Sequence, residues 1–408
     1  MSLIKVLLLI AFWLAAAPAS AGDWPQILGP ARNGKAQNEK IAGRVPSGGP
    51  PVLWQHKVGS GYAGPAIVGP RLIVFHRVGE RAVCEALDAR TGKPLWKKDF
   101  PTAYASSIAP DNGPRCVPLV HDKAVYLFGA DGDLHCLALE SGNIRWSREL
   151  YKDFDASEGY FGAGSSPIVD GDKLLVNVGG RGAGIVAVSL DSGKTIWKAT
   201  DAAASYSSPV AASIAGKRHV IFVTRLETIS VDPATGNPLF RFPFGMRGPT
   251  VNGANPVVVG DHLFLTASYG IGSEWRRLSS GESERVWESD DLISSQYTTP
   301  IQHQGILYGT DGRQDAGVAR LRAIDPEAKR VLWTEEGFGT ATLILADGKL
   351  LIMKTDGTLV LVRPSPKAYA QLGSAKLFDD TVQALPALAG GRFYARDTQY
   401  LRAFDLGK

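Results

Sequence analysis

The sequence predicts an all-β fold, an eight-bladed β-propeller of four-stranded antiparallel blades, on three observations. A phrase made of an apolar strand, an acidic or Ser turn with Gly, and a second strand ending in an aromatic recurs along the chain. Its aromatics stand at Trp54, Trp96, Trp146, Trp197, Phe240, Trp287, Trp333 and Tyr369, at steps of 36 to 51 residues, close to what four short strands and their turns require. The chain also ends on an incomplete repeat whose missing strand stands near its start. Composition agrees, since 46 Gly and 25 Pro among 408 residues suit short strands joined by tight turns.

Taken in order, residues 1–21 read as a secretory signal. Lys5 supplies the positive start, Val6 to Ala17 the apolar core, and Ala19-Ser20-Ala21 a small-residue cleavage site. Cleavage after Ala21 and a periplasmic or secreted location are therefore expected. The apolar run is short and broken by Pro18, so no membrane span is expected after cleavage, and no Cys stands near the junction to take a lipid anchor. Residues 22–51, rich in Pro and Gly, read as an extended lead segment packed on the ring surface, and residues 52–408 as the propeller.

The repeat phrase is clearest as LDARTGKPLW at 87–96, LALESGNIRW at 137–146, VSLDSGKTIW at 188–197 and VDPATGNPLF at 231–240. It decays to SSGESERVW at 279–287, IDPEAKRVLW at 324–333 and LVRPSPKAYA at 361–370, where Tyr369 takes the aromatic place. Asp or Ser followed by Gly supplies a side-chain-capped turn with positive φ between the third and fourth strands. The aromatic then covers the seam with a neighbouring blade. Earlier strands of each repeat, such as NPVVVGDHLFLTAS at 255–268, alternate apolar runs with Gly-Asp or Asp-Gly turns, as hairpins do.

Closure follows from the ends. Residues 401–408 supply a third strand and turn with no aromatic strand after them, and VLWQHKV at 52–58 is that strand. Joined, they complete an eighth sheet and tie the termini together. The seventh repeat, 337–372, lacks both the Gly turn and the Trp, which leaves a seven-bladed ring with one irregular excursion as the alternative.

Charge and special residues narrow the function classes. With 44 basic and 40 acidic residues spread along the chain, nucleic acid is not an expected partner. Cys84, Cys116 and Cys136 are an odd number and read as buried small hydrophobes rather than a disulfide framework. The seven His show no metal spacing, and the acids at Asp88, Glu140, Asp191, Asp232, Asp325 and Asp405 fall at one turn position of successive blades, a structural rather than a catalytic placement. No catalytic and no metal-ligating residues are predicted.

One feature points to a site. Before each innermost strand the chain repeats a small-polar phrase ending in Pro, as in GYAGP, GAGSSP, SYSSP, NGANP and QYTTP. Tyr62, Arg115, Tyr206 and Tyr297 stand three residues before the Pro, and Ser166, Ser208, Asn255 and Thr299 directly before it. Such loops open at one mouth of a propeller channel. Two readings stand: the Ser, Thr and Asn cap backbone groups where the strands converge, or the residues form a polar, aromatic-rimmed funnel centred on Arg115 that takes an anionic or planar ligand or a peptide.

The phrase at residues 88–96 and 191–197 resembles the blade signature of bacterial pyrroloquinoline-quinone-like (PQQ-like) propeller repeat proteins, a group with BamB-like and quinoprotein-type members. The resemblance spans the mature chain and implies the fold. For function it implies either a non-catalytic envelope scaffold or a PQQ-dependent oxidoreductase, which holds its quinone on a stacking Trp with basic contacts and calcium. The chain has neither an adjacent Cys pair nor a C-x-x-C-H haem site. The expectation is an exported, monomeric scaffold without cofactor, partnered by envelope or secreted proteins or by a small ligand at the channel mouth. PQQ binding with calcium, or sugar and polyol binding, is the alternative.

Overall fold

A computed structural model describes residues 22–106 and 108–407, so the expected signal segment lies outside the described residues. Among them, 32 strands form eight separate four-stranded antiparallel sheets. The one α-helix among them is the four-residue Leu150–Asp153. Blades are numbered here by their innermost strands: Ala66–Val68, Leu119–His121, Ile168–Asp170, Val210–Ile214, Val257–Val259, Ile301–His303, Ala341–Ala346 and Ala387–Ala389.

Blade 3 shows how the sequence produces the sheet. Strands Lys173–Gly180 and Ala183–Ser189 are buried along nearly their whole length, because each blade is covered on both faces by its neighbours. They accordingly read as apolar runs rather than strict alternation. The outer strand Thr195–Ala199 has one free edge and is mostly exposed. In blade 8 the outer strand is Val52–Lys57, paired with Tyr400–Asp405 so that Trp54 faces Ala403. The ring thus closes through strands from opposite ends of the described chain, and with eight sheets, not seven.

The hydrophobic core is divided among the seams, each cluster drawing side chains from adjacent blades. Each repeat Trp reaches the turn of the following blade. The indole N–H groups of Trp54, Trp96, Trp146, Trp197, Trp287 and Trp333 donate to the carbonyls of Ala89, Leu139, Leu190, Pro233, Pro326 and Ser365 at 2.8–3.1 Å. The turn Gly therefore does two jobs. At Gly92, Gly142, Gly193 and Gly236, with φ of 68–79°, a Cβ would stand 2.5–2.6 Å from the indole of the preceding blade. Where the repeat decays the devices change: Lys329, at φ 49°, takes the left-handed turn position beside Trp287, and Phe240 meets the next seam without a polar anchor.

The seventh blade departs from the sequence reading in one place. Its outer strand is Gln371–Lys376, and the position in register with the other aromatics is Gly373, opposite Leu361. Tyr369 precedes that strand and packs instead on Trp333, with ring centroids 5.9 Å apart. The vacant aromatic place is taken by the lead segment, since a Cβ on Gly373 would stand 2.7 Å from the Val45 carbonyl oxygen.

The lead segment is not a surface strap. Trp24 pairs antiparallel with Ile67 on the innermost strand of blade 1, and Lys35 pairs parallel with Leu345 of blade 7. Pro25 accepts from the Val120 amide of blade 2, and Arg32 donates to the carbonyls of Ser166 and Pro167 of blade 3 at 2.7 and 2.8 Å. Ile27 and Leu28 pack with Val117 and Leu385. Residues 24–36 thus cross the channel and satisfy innermost-strand edges that would otherwise face its lumen. Burial lowers the Arg32 guanidinium to about 9, so it stays charged at neutral pH. Beyond, Glu39 accepts from the amides of Gly390 and Gly391, and Lys40 pairs with Asp347 at 2.9 Å, both in turns that follow innermost strands. The segment leaves by that lower mouth and runs on into the outer strand of blade 8. Sequence reading placed it outside because composition carries no sign of where an extended chain docks.

Candidate functional site

The upper mouth lies where the innermost strands begin, and the structure divides the eight predicted mouth residues into two layers. In the inner layer each residue directly before Pro accepts an amide from the preceding blade. The Val117 amide donates to Ser166 Oγ at 2.9 Å, Ser166 to Ser208 Oγ at 2.8 Å, Ser208 to Asn255 Oδ1 at 2.7 Å, and Asn255 to Thr299 Oγ1 at 2.9 Å. These four side chains form an arc from blade 3 to blade 6, buried except for the half-buried Thr299. In this arrangement they cap backbone donors at the point of convergence. On the other side of the ring the same places hold Gly64 and Leu385; a Cβ on Gly64 would stand 2.1 Å from the Leu385 carbonyl oxygen.

The outer layer holds Tyr62, Arg115, Tyr206 and Tyr297. The Arg115 guanidinium lies 5.4 Å from the Tyr62 ring centroid, 5.9 Å from Tyr104 and 5.8 Å from Phe161. It donates to the carbonyls of Gly113 and Asp111, so it is folded back on its own loop. Asp111 in turn accepts from the Gly61 amide at 2.8 Å and ties the loops into blades 1 and 2 together. Burial, reinforced by Asp111 and opposed by Arg115, raises the Tyr62 phenol above its usual value. Tyr206 accepts from the Phe161 amide at 2.9 Å and stacks edge-on against its ring. Tyr297 stands apart, its hydroxyl donating to Gln314, and burial raises its pKa.

Beside Tyr62 a cleft of about 270 Å³ opens, walled also by Gln314, Thr381, Gln383, Asp397 and Thr398. The two long connections, 102–118, which also gives Pro110 to this cleft, and 150–167, rise over blades 2 and 3. Ser106 Oγ donates to the Tyr160 carbonyl at 3.2 Å, and the Tyr160 hydroxyl reaches the Gly248 carbonyl at 3.4 Å. Arg225 holds the carbonyl of Met246 at 2.9 Å. On these linked loops Ile108, Tyr160 and Met246 are 58, 40 and 44 % exposed. Tyr104, Phe161, Gln314, Gln383 and Asp397 were not foreseen, because they stand outside the repeated phrase. The unequal length of the connections was the one available signal.

The quinone that the resemblance implies for quinoprotein-type members does not fit the cleft beside Tyr62. A planar tricarboxylate needs a stacking floor and cations, yet every described Trp is committed elsewhere. Six lie in seams on the following blade's turn, Trp24 lies in the channel segment, and Trp275 stacks on His262 within a seam. The cleft wall carries a carboxylate and no Lys or Arg. Among the described residues no group of three His, Cys, Asp or Glu is placed to hold a metal ion.

Eight four-stranded sheets, the Trp-on-Gly seams and the loop-rimmed mouth define a PQQ-like repeat propeller. The chain belongs to this family: the family model described as outer membrane protein assembly factor BamB matches residues 45–205 and 79–335. It is 20 % identical over 364 residues to the outer membrane protein assembly factor BamB of Burkholderia pseudomallei, covering 76 % of this chain and 87 % of that protein. It is 31 % identical over 133 residues to the quinoprotein alcohol dehydrogenase PedH of Pseudomonas putida, covering 30 % and 21 %. Among solved structures it resembles BamB from Moraxella catarrhalis (TM-score 0.64, 16 % identity, 87 % of this chain and 97 % of that one). It also resembles the quinohemoprotein alcohol dehydrogenase from Comamonas testosteroni (TM-score 0.67, 14 % identity, 96 % and 82 %). At these identities the structural likeness shows the fold alone. No helix among the described residues is long and apolar enough to cross a membrane.

Proposed function

We propose that this protein is an exported, non-catalytic scaffold of the bacterial cell envelope that binds a protein partner across the upper mouth. The observation that carries the reading is the loop canopy, where Ile108, Tyr160 and Met246 present apolar surface on loops braced by Ser106, the Tyr160 hydroxyl and Arg225. Exposed large side chains on connected loops, beside an arginine set among aromatic rings, have the composition of protein-binding surfaces. The match to outer membrane protein assembly factors over most of the chain supports an envelope role, and the segment of residues 1–21 supports export.

The test pairs Tyr160→Asp with Met246→Asp in the full chain and measures retention of envelope proteins identified with the unaltered protein. Retention should fall at least about tenfold, as expected when central apolar contacts are lost. The melting temperature should hardly move, since surface substitutions usually stay within about 0.5 kcal/mol. Undiminished retention would contradict the reading.

A further inference from the structure

We infer that the cleft beside Tyr62 is a binding site for a neutral polyhydroxylated ligand, a sugar ring in size and chemistry. It is distinct from the apolar canopy surface proposed above: the cleft shares Pro110 with the 102–118 connection, but Ile108, Tyr160 and Met246 do not line it.

The wall brings four kinds of group together. Asp397, in the turn of blade 8, is buried and immobilised, because its Oδ1 accepts from the amides of Gln399 and Tyr400 at 2.8 and 2.6 Å. That leaves Oδ2 as a fixed acceptor. Gln383 Nε2 donates to Gln314 Oε1 at 3.2 Å, and the Tyr297 hydroxyl donates to the same oxygen. In this arrangement the Gln314 NH₂ is left to donate and the Gln383 carbonyl to accept. Thr398 donates to Asp380 Oδ2 at 3.2 Å, which leaves its hydroxyl oxygen to accept. The Tyr62 ring, with Pro110 and Ala384, supplies an apolar wall.

Charge and size select the ligand. An anion would meet the Asp397 carboxylate with no lining cation to compensate, and its desolvation would go unrepaid. A cation would leave the Gln314 donor facing like charge. Vicinal hydroxyls both donate and accept, so they match a carboxylate, amides and hydroxyls set side by side, while a ring's C–H face lies on the aromatic wall. A volume of about 270 Å³ suits a single small ring.

The experiment titrates the full-length protein with glucose, N-acetylglucosamine and inositol, and with glucuronate and glucosamine as charged counterparts, reading heat and melting temperature. At least one neutral probe should bind saturably and raise the melting temperature, with its charged counterparts weaker by about tenfold or more. Asp397→Asn and Gln383→Leu should each weaken that probe by about tenfold. Because Asp397 also caps its turn, Gln383→Leu is the variant whose melting temperature must stay unchanged. Binding of glucuronate in preference to the neutral probes, no response to any neutral probe, or equal affinity in Gln383→Leu would each overturn the inference.

Discussion

Toward the lower mouth the lead segment fills the channel: Trp24 and Lys35 extend innermost strands of blades 1 and 7, and Glu39 holds the amides of Gly390 and Gly391. At the upper mouth side chains do the closing, through the arc of Ser166, Ser208, Asn255 and Thr299 and the Arg115 cluster above it. The lower mouth is rimmed by short exposed polar turns, such as Asp122-Lys123, Gly171-Asp172 and Gly260-Asp261. The upper mouth keeps exposed apolar side chains, an unlined-by-cation polar cleft and long unequal loops. The contrast separates what holds the ring together from what a partner or ligand can reach.

The largest effect should come from breaking the lower mouth. Trp24 is 2 % exposed and joins the cluster that spans blades 7, 8 and 1. Trp24→Ala should cost roughly 3–5 kcal/mol, the range for emptying a large buried aromatic site. Denaturant unfolding measures it, and a loss below about 1 kcal/mol would mean the channel segment is not integral to the ring.

A smaller effect separates the blades from the loops by pH. His135, on strand Asp133–Ala138 of blade 2, is buried at the seam with blade 1, stacked on Phe100 at 3.7 Å and bonded to Ser147 at 2.8 Å. Burial lowers its pKa from 6.5 to about 4. A depressed value means the unfolded chain takes up the proton first, so this stability is whole above pH 6.5 and drains away as pH falls toward 4. The loss is of order 3 kcal/mol. His76, lowered mainly by burial, acts in the same direction. Glu85 lies deeper in acid: burial alone would raise its pKa, but hydrogen bonds from His56 and His76 hold it below the ordinary carboxylate range. His135→Gln should be less stable at pH 7 yet show a flatter dependence between pH 6.5 and 4; an unchanged slope would assign the acid lability elsewhere.

The legibility of the molecule follows the same division. Blade count, strand order and closure were readable because one hairpin grammar recurs, and the Trp-on-Gly seam requires both residues of the phrase at each step. Blade 7 misled only at its aromatic, because the residue filling Gly373's side of the seam, Val45, comes from a segment over three hundred positions away. The docking of residues 24–36 was illegible for the same reason: its partners are backbone edges, which any sequence provides. At the upper mouth the repeated Pro phrase located the ring of loops. Asp397, Gln383 and Gln314 lie in turns and connections that differ from blade to blade, so no periodicity marked them.

The most direct measurement places a photo-crosslinking residue at Tyr160, above the upper mouth, and in a second variant at Lys349, beside the Asp347 turn of the lower mouth, in cells making the full chain. Specific adducts with envelope proteins should form from position 160 and not from position 349. Adducts from 349 alone, or equally from both, would contradict a scaffold that works through its upper face.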